Sequence, residues 1–168
     1  MIFWIASYPK SGNTWLRALI SSYYFSKTGV FSSDLLKNIG QFPEKSYFKD
    51  FDYNKNKITD TSRFWIKAQE KINRDKKIKF LKTHNVFGQI DNNNFTNKQN
   101  STGCIYIVRD PRNVITSLKH HYEMNYSDAL DFMMSEKKYI YDYHTKNDFS
   151  DFQFISSWDR NYKSWKKT

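Results

Sequence analysis

Phe3-Trp4-Ile5-Ala6-Ser7-Tyr8-Pro9-Lys10-Ser11-Gly12-Asn13-Thr14-Trp15-Leu16 takes the chain from one hydrophobic period to another. Residues 2 to 6 are almost wholly apolar and bulky, the pattern of a strand covered on both faces, and Pro9 and Gly12 punctuate a turn after it. From Thr14 the spacing becomes helical, with Leu16, Leu19, Ile20 and Tyr23 on one stripe and Arg17 off it. Asn13 or Thr14 is the expected cap. The free N–H groups of such a helix start act with its dipole to favour an anion, and Lys10, Ser11 and Thr14 add a cation and two hydroxyls. On spacing alone the same residues also describe an ordinary strand-turn-helix with a solvated Lys10. The loop is not of the Walker type, which sets its Lys directly after the last Gly, whereas Lys10 precedes Gly12 by two residues.

A second unit repeats this layout downstream. The run Gly103-Cys104-Ile105-Tyr106-Ile107-Val108 is the strongest strand signal in the chain, and it stops at Arg109-Asp110-Pro111. Pro111 suits the first turn of a helix capped by Asp110, and Val114, Ile115, Leu118 and Tyr122 give that helix its stripe. Between the two units, residues 30 to 60 read as irregular, with a short helix near Ser33 to Asn38. Residues 61 to 76 read as a helix capped by Thr61 or Ser62, with Phe64, Trp65, Ala68 and Ile72 on one face. Lys77-Ile78-Lys79-Phe80-Leu81-Lys82-Thr83-His84 follows as a further strand, and residues 91 to 102, rich in Asn, Thr, Ser and Gln, as a surface loop. Ser127 is the expected cap of residues 128 to 135, and residues 151 to 167 set Phe154, Trp158, Tyr162 and Trp165 at helical spacing as a core-packing stripe. Strands alternating with helices predict an α/β fold, a parallel sheet flanked by helices that binds ligands at the carboxyl ends of its strands.

The 168 residues suit one domain spanning 1–168, without internal repeats or linkers. Aromatics are 18% of the chain against 39% hydrophobic residues in all, so Phe, Tyr and Trp must supply much of the core. The net charge of +10 suits an acidic partner: nucleic acid, an anionic membrane surface or a phosphorylated small molecule. Mixed stretches such as Lys67 to Lys82 read as solvated faces rather than binding sites. Cys104 is the single cysteine, which rules out an intramolecular disulfide and points to a reducing, cytoplasmic setting, where it reads as a buried small side chain. No run approaches the roughly 18 apolar residues of a membrane span, and the N-terminus lacks the layout of a signal peptide. His120 and His121 are adjacent and so point to different sides of a helix, His144 has no partner at ligand spacing, and no metal is implied.

Tyr8-Pro9-Lys10-Ser11-Gly12-Asn13-Thr14-Trp15 resembles the 5′-phosphosulfate loop of the sulfotransferase family, usually written YPKSGTTW, from which only Asn13 departs. Phe80-Leu81-Lys82-Thr83-His84 is similar to the family's KTH segment, and Ile105 to Ser117 to its YxxRNPxDxxxS signature, with Asp110 and Asn113 standing where Asn and Asp are common. Ser157-Trp158-Asp159 and Tyr162-Lys163-Ser164-Trp165 look like its GSWxxHVxxW segment without the usual His. The resemblance implies a transferase that moves a sulfuryl group from 3′-phosphoadenosine 5′-phosphosulfate to a hydroxyl or amine acceptor. It would place Lys10, Ser11, Gly12, Asn13 and Thr14 on the 5′-phosphosulfate, Trp15 against adenine, and Arg109 and Ser117 on the 3′-phosphate. His84 would be the general base, and Lys10 and Lys82 would offset charge on the transferring group. Independently of the name, Arg offers a fork of donors suited to phosphate, and Ser117 lies about two helical turns beyond Arg109.

Acceptor choice would lie in residues 30 to 60, 85 to 102 and 123 to 150, whose content admits phenols, lipids or glycans. The family pattern continues beyond Thr168 with a further strand, a YED-like motif and an Arg-Lys-Gly loop, so weaker nucleotide affinity is expected of this chain, and an uncovered sheet edge or helix face would favour self-association. Two other classes compete: a P-loop kinase or nucleotide hydrolase, and a non-catalytic anion or nucleic-acid binding module. No specific nucleic-acid partner is expected.

Overall fold

The computed structural model describes residues 1–166. At its centre is β1 (Ile2–Ser7), the apolar run that precedes the loop, followed by α1 (Asn13–Phe25), α2 (Trp65–Ile72) and β2 (Lys79–Thr83). The short strands β3 (Gln89–Ile90) and β4 (Asn93–Asn94) make a hairpin, and β5 (Ser101–Ile107) leads into α3 (Pro111–His121) and α4 (Tyr126–Met134). A ribbon of β6 (Tyr139–Ile140) and β7 (Gln153–Phe154) brackets the one-turn α5 (Tyr143–Lys146), and α6 (Trp158–Lys166) completes the described chain.

β1 lies between β2 and β5 and runs parallel to both, so the fold is α/β with a parallel sheet flanked by helices. Ala6 pairs with Thr83 and Ser7 with Ile107. The three strands therefore end together, and the segments that follow them emerge side by side at one edge of the sheet, where open α/β sheets bind ligands.

Alternation along β1 sends Ile2, Trp4 and Ala6 into a cluster with Trp65, Phe95, Phe152 and Trp165. This is the aromatic core that the composition requires. Trp4 lies 5.0 Å from Phe95, and Trp65 stacks on Phe152 at 5.3 Å; such pairs each contribute about 0.5–1.5 kcal/mol beyond the area they bury. On the opposite face Phe3 meets Phe80 edge-on, and Phe80 meets Tyr24 of α1. The Phe3 ring also lies over β5 at Gly103, where a Cβ would come within 2.9 Å of it, so any larger residue would have to displace that ring. A second cluster joins Tyr8 to Val114, Leu118, Phe132 and Ile155 and fastens α3 and α4 beside the loop.

Several local expectations need correcting. The face of α1 that turns inward carries Asn13, Arg17 and Ser21, while Leu19 and Tyr23 from the expected stripe are 51% and 80% exposed. Asn13 and Arg17 face inward because they reach backbone carbonyls of β1 and of the 3₁₀ turn at Ser33–Asn38. The residue at the cap of α1 is Gly12, with φ of 101°, and not Asn13 or Thr14. The helix expected over 61 to 76 opens as a 3₁₀ turn (Asp60–Phe64) and becomes α-helical only from Trp65, so Thr61 and Ser62 are buried rather than capping.

Residues 91 to 102 are only partly a surface loop. Phe95, Thr96 and Asn100 are buried there, because Gln69 of α2 donates to Phe95 O at 2.6 Å and accepts from Thr96 Oγ1 at 2.5 Å. Asn125, not Ser127, caps α4 by accepting from Asp128 N. The expected stripe over 151 to 167 divides: Phe154 belongs to β7, Trp158 joins the Tyr8 cluster and Trp165 the aromatic core, and residue 167 lies outside the described residues. β5, formed where the strongest strand signal lies, is an edge strand of the sheet, with Ile105 40% exposed and Val108, just beyond its end, 53% exposed. The cap of α3 is as expected, Asp110 accepting from Arg112 N ahead of Pro111. No helix among the described residues is long and apolar enough to cross a membrane.

Candidate active site

The segments that leave the carboxyl ends of β1, β2 and β5 enclose a cavity of about 570 Å³, within the usual range of small-molecule sites. Lys10, Gly12, Asn13, Thr14 and Trp15 line it from the first loop. The turn is made by two left-handed residues, Lys10 at φ 65° and Gly12 at φ 101°. The first helical bond from this start runs from Leu16 N to Gly12 O, and no side chain caps the helix, so its leading N–H groups are left for another acceptor. Ser11 is buried and its hydroxyl makes no hydrogen bond.

Asn13, the one departure from the family loop, is committed inward. Its Nδ2 donates to Ile5 O at 3.0 Å and to Ser7 Oγ at 3.1 Å, which ties the loop to the strand before it. Its Oδ1 is buried without a hydrogen-bond partner, and its backbone N–H faces the loop. Trp15 is 73% exposed beside the cavity and open to a stacking partner.

His84 follows β2 and is held from three sides. Its Nδ1 lies 2.7 Å from Ser7 O. A carbonyl oxygen only accepts, so the proton sits on Nδ1 and the lone pair on Nε2. Its backbone N–H donates to Gln153 Oε1 at 2.7 Å, and its carbonyl accepts from Asn161 Nδ2 at 2.9 Å. Burial, with the neighbouring cations Lys82, Arg17 and Lys10 adding to it, pushes the imidazole pKa down to about 3, so the ring is neutral at physiological pH.

Lys82 donates to Gln41 Oε1 at 2.9 Å, and burial, reinforced by Arg17, lowers its pKa to about 8. Arg17 itself donates to Leu36 O at 3.1 Å and Ile39 O at 2.6 Å. On the β5 side Arg109 Nη1 donates to Lys10 O at 3.0 Å and so latches the loop, while Ser117 lines the cavity from α3. Lys10, Lys82 and Arg109 all line the cavity, and among the described residues no carboxylate does. Asp110, the acidic residue nearest the end of β5, is turned to Arg112, which holds its carboxyl down to a pKa of about 2. An anion is what such a site accommodates.

Of the residues singled out in the sequence, Lys10, Gly12, Asn13, Thr14, Trp15, Lys82, His84, Arg109 and Ser117 share this one cavity, with Ser11 buried in the loop behind it. Four others went unseen. Gln41 and Gln153 line the cavity and orient Lys82 and His84, Ser7 fixes the imidazole, and Asn161 fixes the His84 backbone. Asn161 stands three residues after Trp158, where the GSWxxHVxxW pattern has its His, and it is the one of the four that the spacing could have pointed to. Of the three stretches expected to choose an acceptor, 30 to 60 contributes Gln41 and 123 to 150 contributes Ile140, whereas 85 to 102 contributes nothing to the cavity wall.

Comparison with known proteins agrees with this architecture. No curated protein matches the chain. The family model described as the sulfotransferase domain matches residues 2–167. With its parallel sheet, its loop after β1 and nearly its whole length within that match, the chain belongs to the sulfotransferase family.

Proposed function

We propose that this protein transfers a sulfuryl group from 3′-phosphoadenosine 5′-phosphosulfate to a hydroxyl or amine acceptor, with His84 as general base. The observation that carries the reading is the His84–Ser7 contact, which leaves the Nε2 lone pair free in a cavity also lined by Lys10, Lys82, Arg109 and the uncapped start of α1. In this reading the loop from Lys10 to Thr14 holds the 5′-phosphosulfate, mainly through backbone N–H groups, and Trp15 packs on adenine. Arg109 and Ser117 take the 3′-phosphate. Lys10 and Lys82 offset charge on the sulfuryl and bridging oxygens as the sulfur–oxygen bond to phosphate lengthens. His84 Nε2 receives the acceptor proton, help that is typically worth roughly 100- to 10,000-fold in rate.

An imidazole with a pKa of about 3 is a weak base. Cations account for part of that depression, and a bound nucleotide carrying several negative charges offsets them. Donor binding therefore raises the basicity of His84, and the reading implies that the donor enters before the acceptor is deprotonated. The kinase-like alternative has little support, because its expected metal-binding carboxylate, Asp110, is engaged by Arg112. A binding module without transfer stays in competition on one observation: Arg109 is the only arginine lining the cavity among the described residues, which leaves the 3′-phosphate with a single guanidinium.

Calorimetric titration with 3′-phosphoadenosine 5′-phosphate, against ATP as control, tests the donor site. Selective binding that Lys10→Ala and Arg109→Ala both weaken is expected. Equal binding of ATP, or indifference to both substitutions, would sink the reading. Transfer of labelled sulfate from the donor to an added acceptor separates an enzyme from a binding module.

A further inference from the structure

Resting on the donor reading above, we infer that the acceptor is a polyhydroxylated, saccharide-type molecule, held by the carboxamide groups of Gln41 and Gln153. The sheet order separates the two halves of the cavity. Arg109 and Ser117 follow β5 on one side of β1, whereas His84 follows β2 on the other. Residues 40 to 42 run along the outer edge of β2, with Phe42 N bonded to Lys82 O and Lys82 N to Gly40 O. Gln41 thus stands on the far side of His84 from the phosphate-gripping groups. Gln153 is brought there by the β6–β7 ribbon, together with Ile140, its partner in register.

The hydrogen bonds fix which end of each amide faces the ligand. Gln153 Oε1 is used by His84 N–H, and Gln41 Oε1 by the Lys82 ammonium, so the NH₂ groups are the free ends. Gln153 Nε2 has no protein acceptor among the described residues although the residue is only 4% exposed. Gln41 Nε2 makes one long contact of 3.5 Å, to Pro43 O, which leaves its second hydrogen unused. Two fixed donors therefore line the same cavity as His84 Nε2, one anchored on the His84 backbone and one on Lys82.

Apart from Pro9 and the Trp15 ring of the first loop, the apolar lining among the described residues is Ile140 and the Tyr122 ring, the latter beside His121. A flat phenol or a lipid alcohol would give neither amide a ligand acceptor, and a donor as buried as that of Gln153 discriminates strongly against such ligands. A saccharide satisfies them. One of its hydroxyls donates to His84 Nε2 while neighbouring oxygens accept from Gln41 and Gln153. In the transfer step that hydroxyl oxygen bonds to sulfur and its proton passes to Nε2. The bond between sulfur and the 5′-phosphate oxygen breaks with its electron pair on phosphate, giving a sulfate ester and 3′-phosphoadenosine 5′-phosphate.

Saturation-transfer NMR on the full chain loaded with 3′-phosphoadenosine 5′-phosphate tests this, with lactose and N-acetylglucosamine as polyol probes and 2-naphthol and 4-nitrophenol as phenols. The saccharides should give signal and the phenols little. Gln41→Met and Gln153→Met should each weaken saccharide binding about three- to tenfold and shift the saccharide-to-phenol ratio towards the phenol, since each removes one hydrogen bond and adds apolar surface. Phenols outcompeting saccharides, saccharides giving no signal, or both substitutions lowering the two classes in parallel would overturn the inference. Failure of the nucleotide itself to bind is seen in the calorimetry before any acceptor is added, and it would overturn the donor reading instead.

Discussion

His84 Nδ1 and the carbonyl oxygen of Ser7 lie 2.7 Å apart, joining the end of β2 to the end of β1. The contact spans the central strand pair, so the sheet register itself orients the imidazole. Asn13 supports the same point from the loop, through its bond to Ser7 Oγ.

Replacing His84 by Asn should lower transfer by roughly 100- to 10,000-fold while leaving nucleotide affinity within a few-fold. Radiolabelled transfer and calorimetry on the same preparation check this. A variant that loses both together would mark His84 as structural.

The same residue sets a pH dependence of stability. Its folded pKa of about 3 lies below the ordinary 6.5, so between those values the unfolded chain binds the extra proton and acidification favours unfolding. The contribution is complete above pH 6.5 and is lost as pH falls towards 3. Its slope approaches about 1.4 kcal/mol per pH unit. Urea melts of wild type and His84→Asn across this range should converge as pH falls; parallel curves would refute the buried, neutral imidazole.

Lys82 should titrate near pH 8, well below an ordinary lysine, because it is buried near Arg17. NMR of reductively methylated protein would resolve it. Arg17→Met should move its pKa upward, and so should bound 3′-phosphoadenosine 5′-phosphate, in the first case by removing a cation and in the second by adding anions.

Asn161 is fully buried, donating to His84 O and Ile155 O and accepting from Tyr106 OH at 2.7 Å. Asn161→Ala should cost about 1–3 kcal/mol, the penalty for stranding buried polar groups. Asn161→Asp should cost more, since it sets a carboxylate against two carbonyls. Thermal melts that rank the two variants the other way round would show that these bonds are not what holds the segment.

Gly12→Ala isolates the loop conformation. At φ 101° an added Cβ meets nothing within 4 Å, so the penalty is backbone strain alone, about 1–2 kcal/mol. Because the residue sits at the uncapped helix start, relaxation of that strain should weaken nucleotide binding by more than it lowers the melting temperature. A large loss of stability with unchanged affinity would contradict the placement of the anion there.

The blocks that were legible in the sequence are local. The change of period after Ser7, Pro111 behind a capping Asp110 and the short helical turn at Ser33–Asn38 each depend on residues a few positions apart. The inward face of α1 was not legible, because Leu19 and Tyr23 satisfy helical periodicity as well as a buried stripe would, yet the helix packs through Asn13, Arg17 and Ser21. Residues 91 to 102 misled for a related reason: Asn, Thr and Gln mark loops by composition, but here Thr96 and the Phe95 carbonyl pair with Gln69 of α2 and Asn100 accepts from Asn73.

By itself, then, the sequence determined the α/β class, the loop from Lys10 to Thr14 and the residue types Lys82, His84, Arg109 and Ser117 that share one cavity. Only the tertiary structure decided what those groups are chemically. The tautomer of His84 comes from Ser7, its low pKa from burial and from the nearby cations Lys82, Arg17 and Lys10, and its backbone is held by Gln153 and Asn161, 69 and 77 residues away in the chain. Hydrophobic period and turn chemistry are written in near neighbours, whereas desolvation and hydrogen-bond direction depend on which distant groups the sheet brings within about 3 Å.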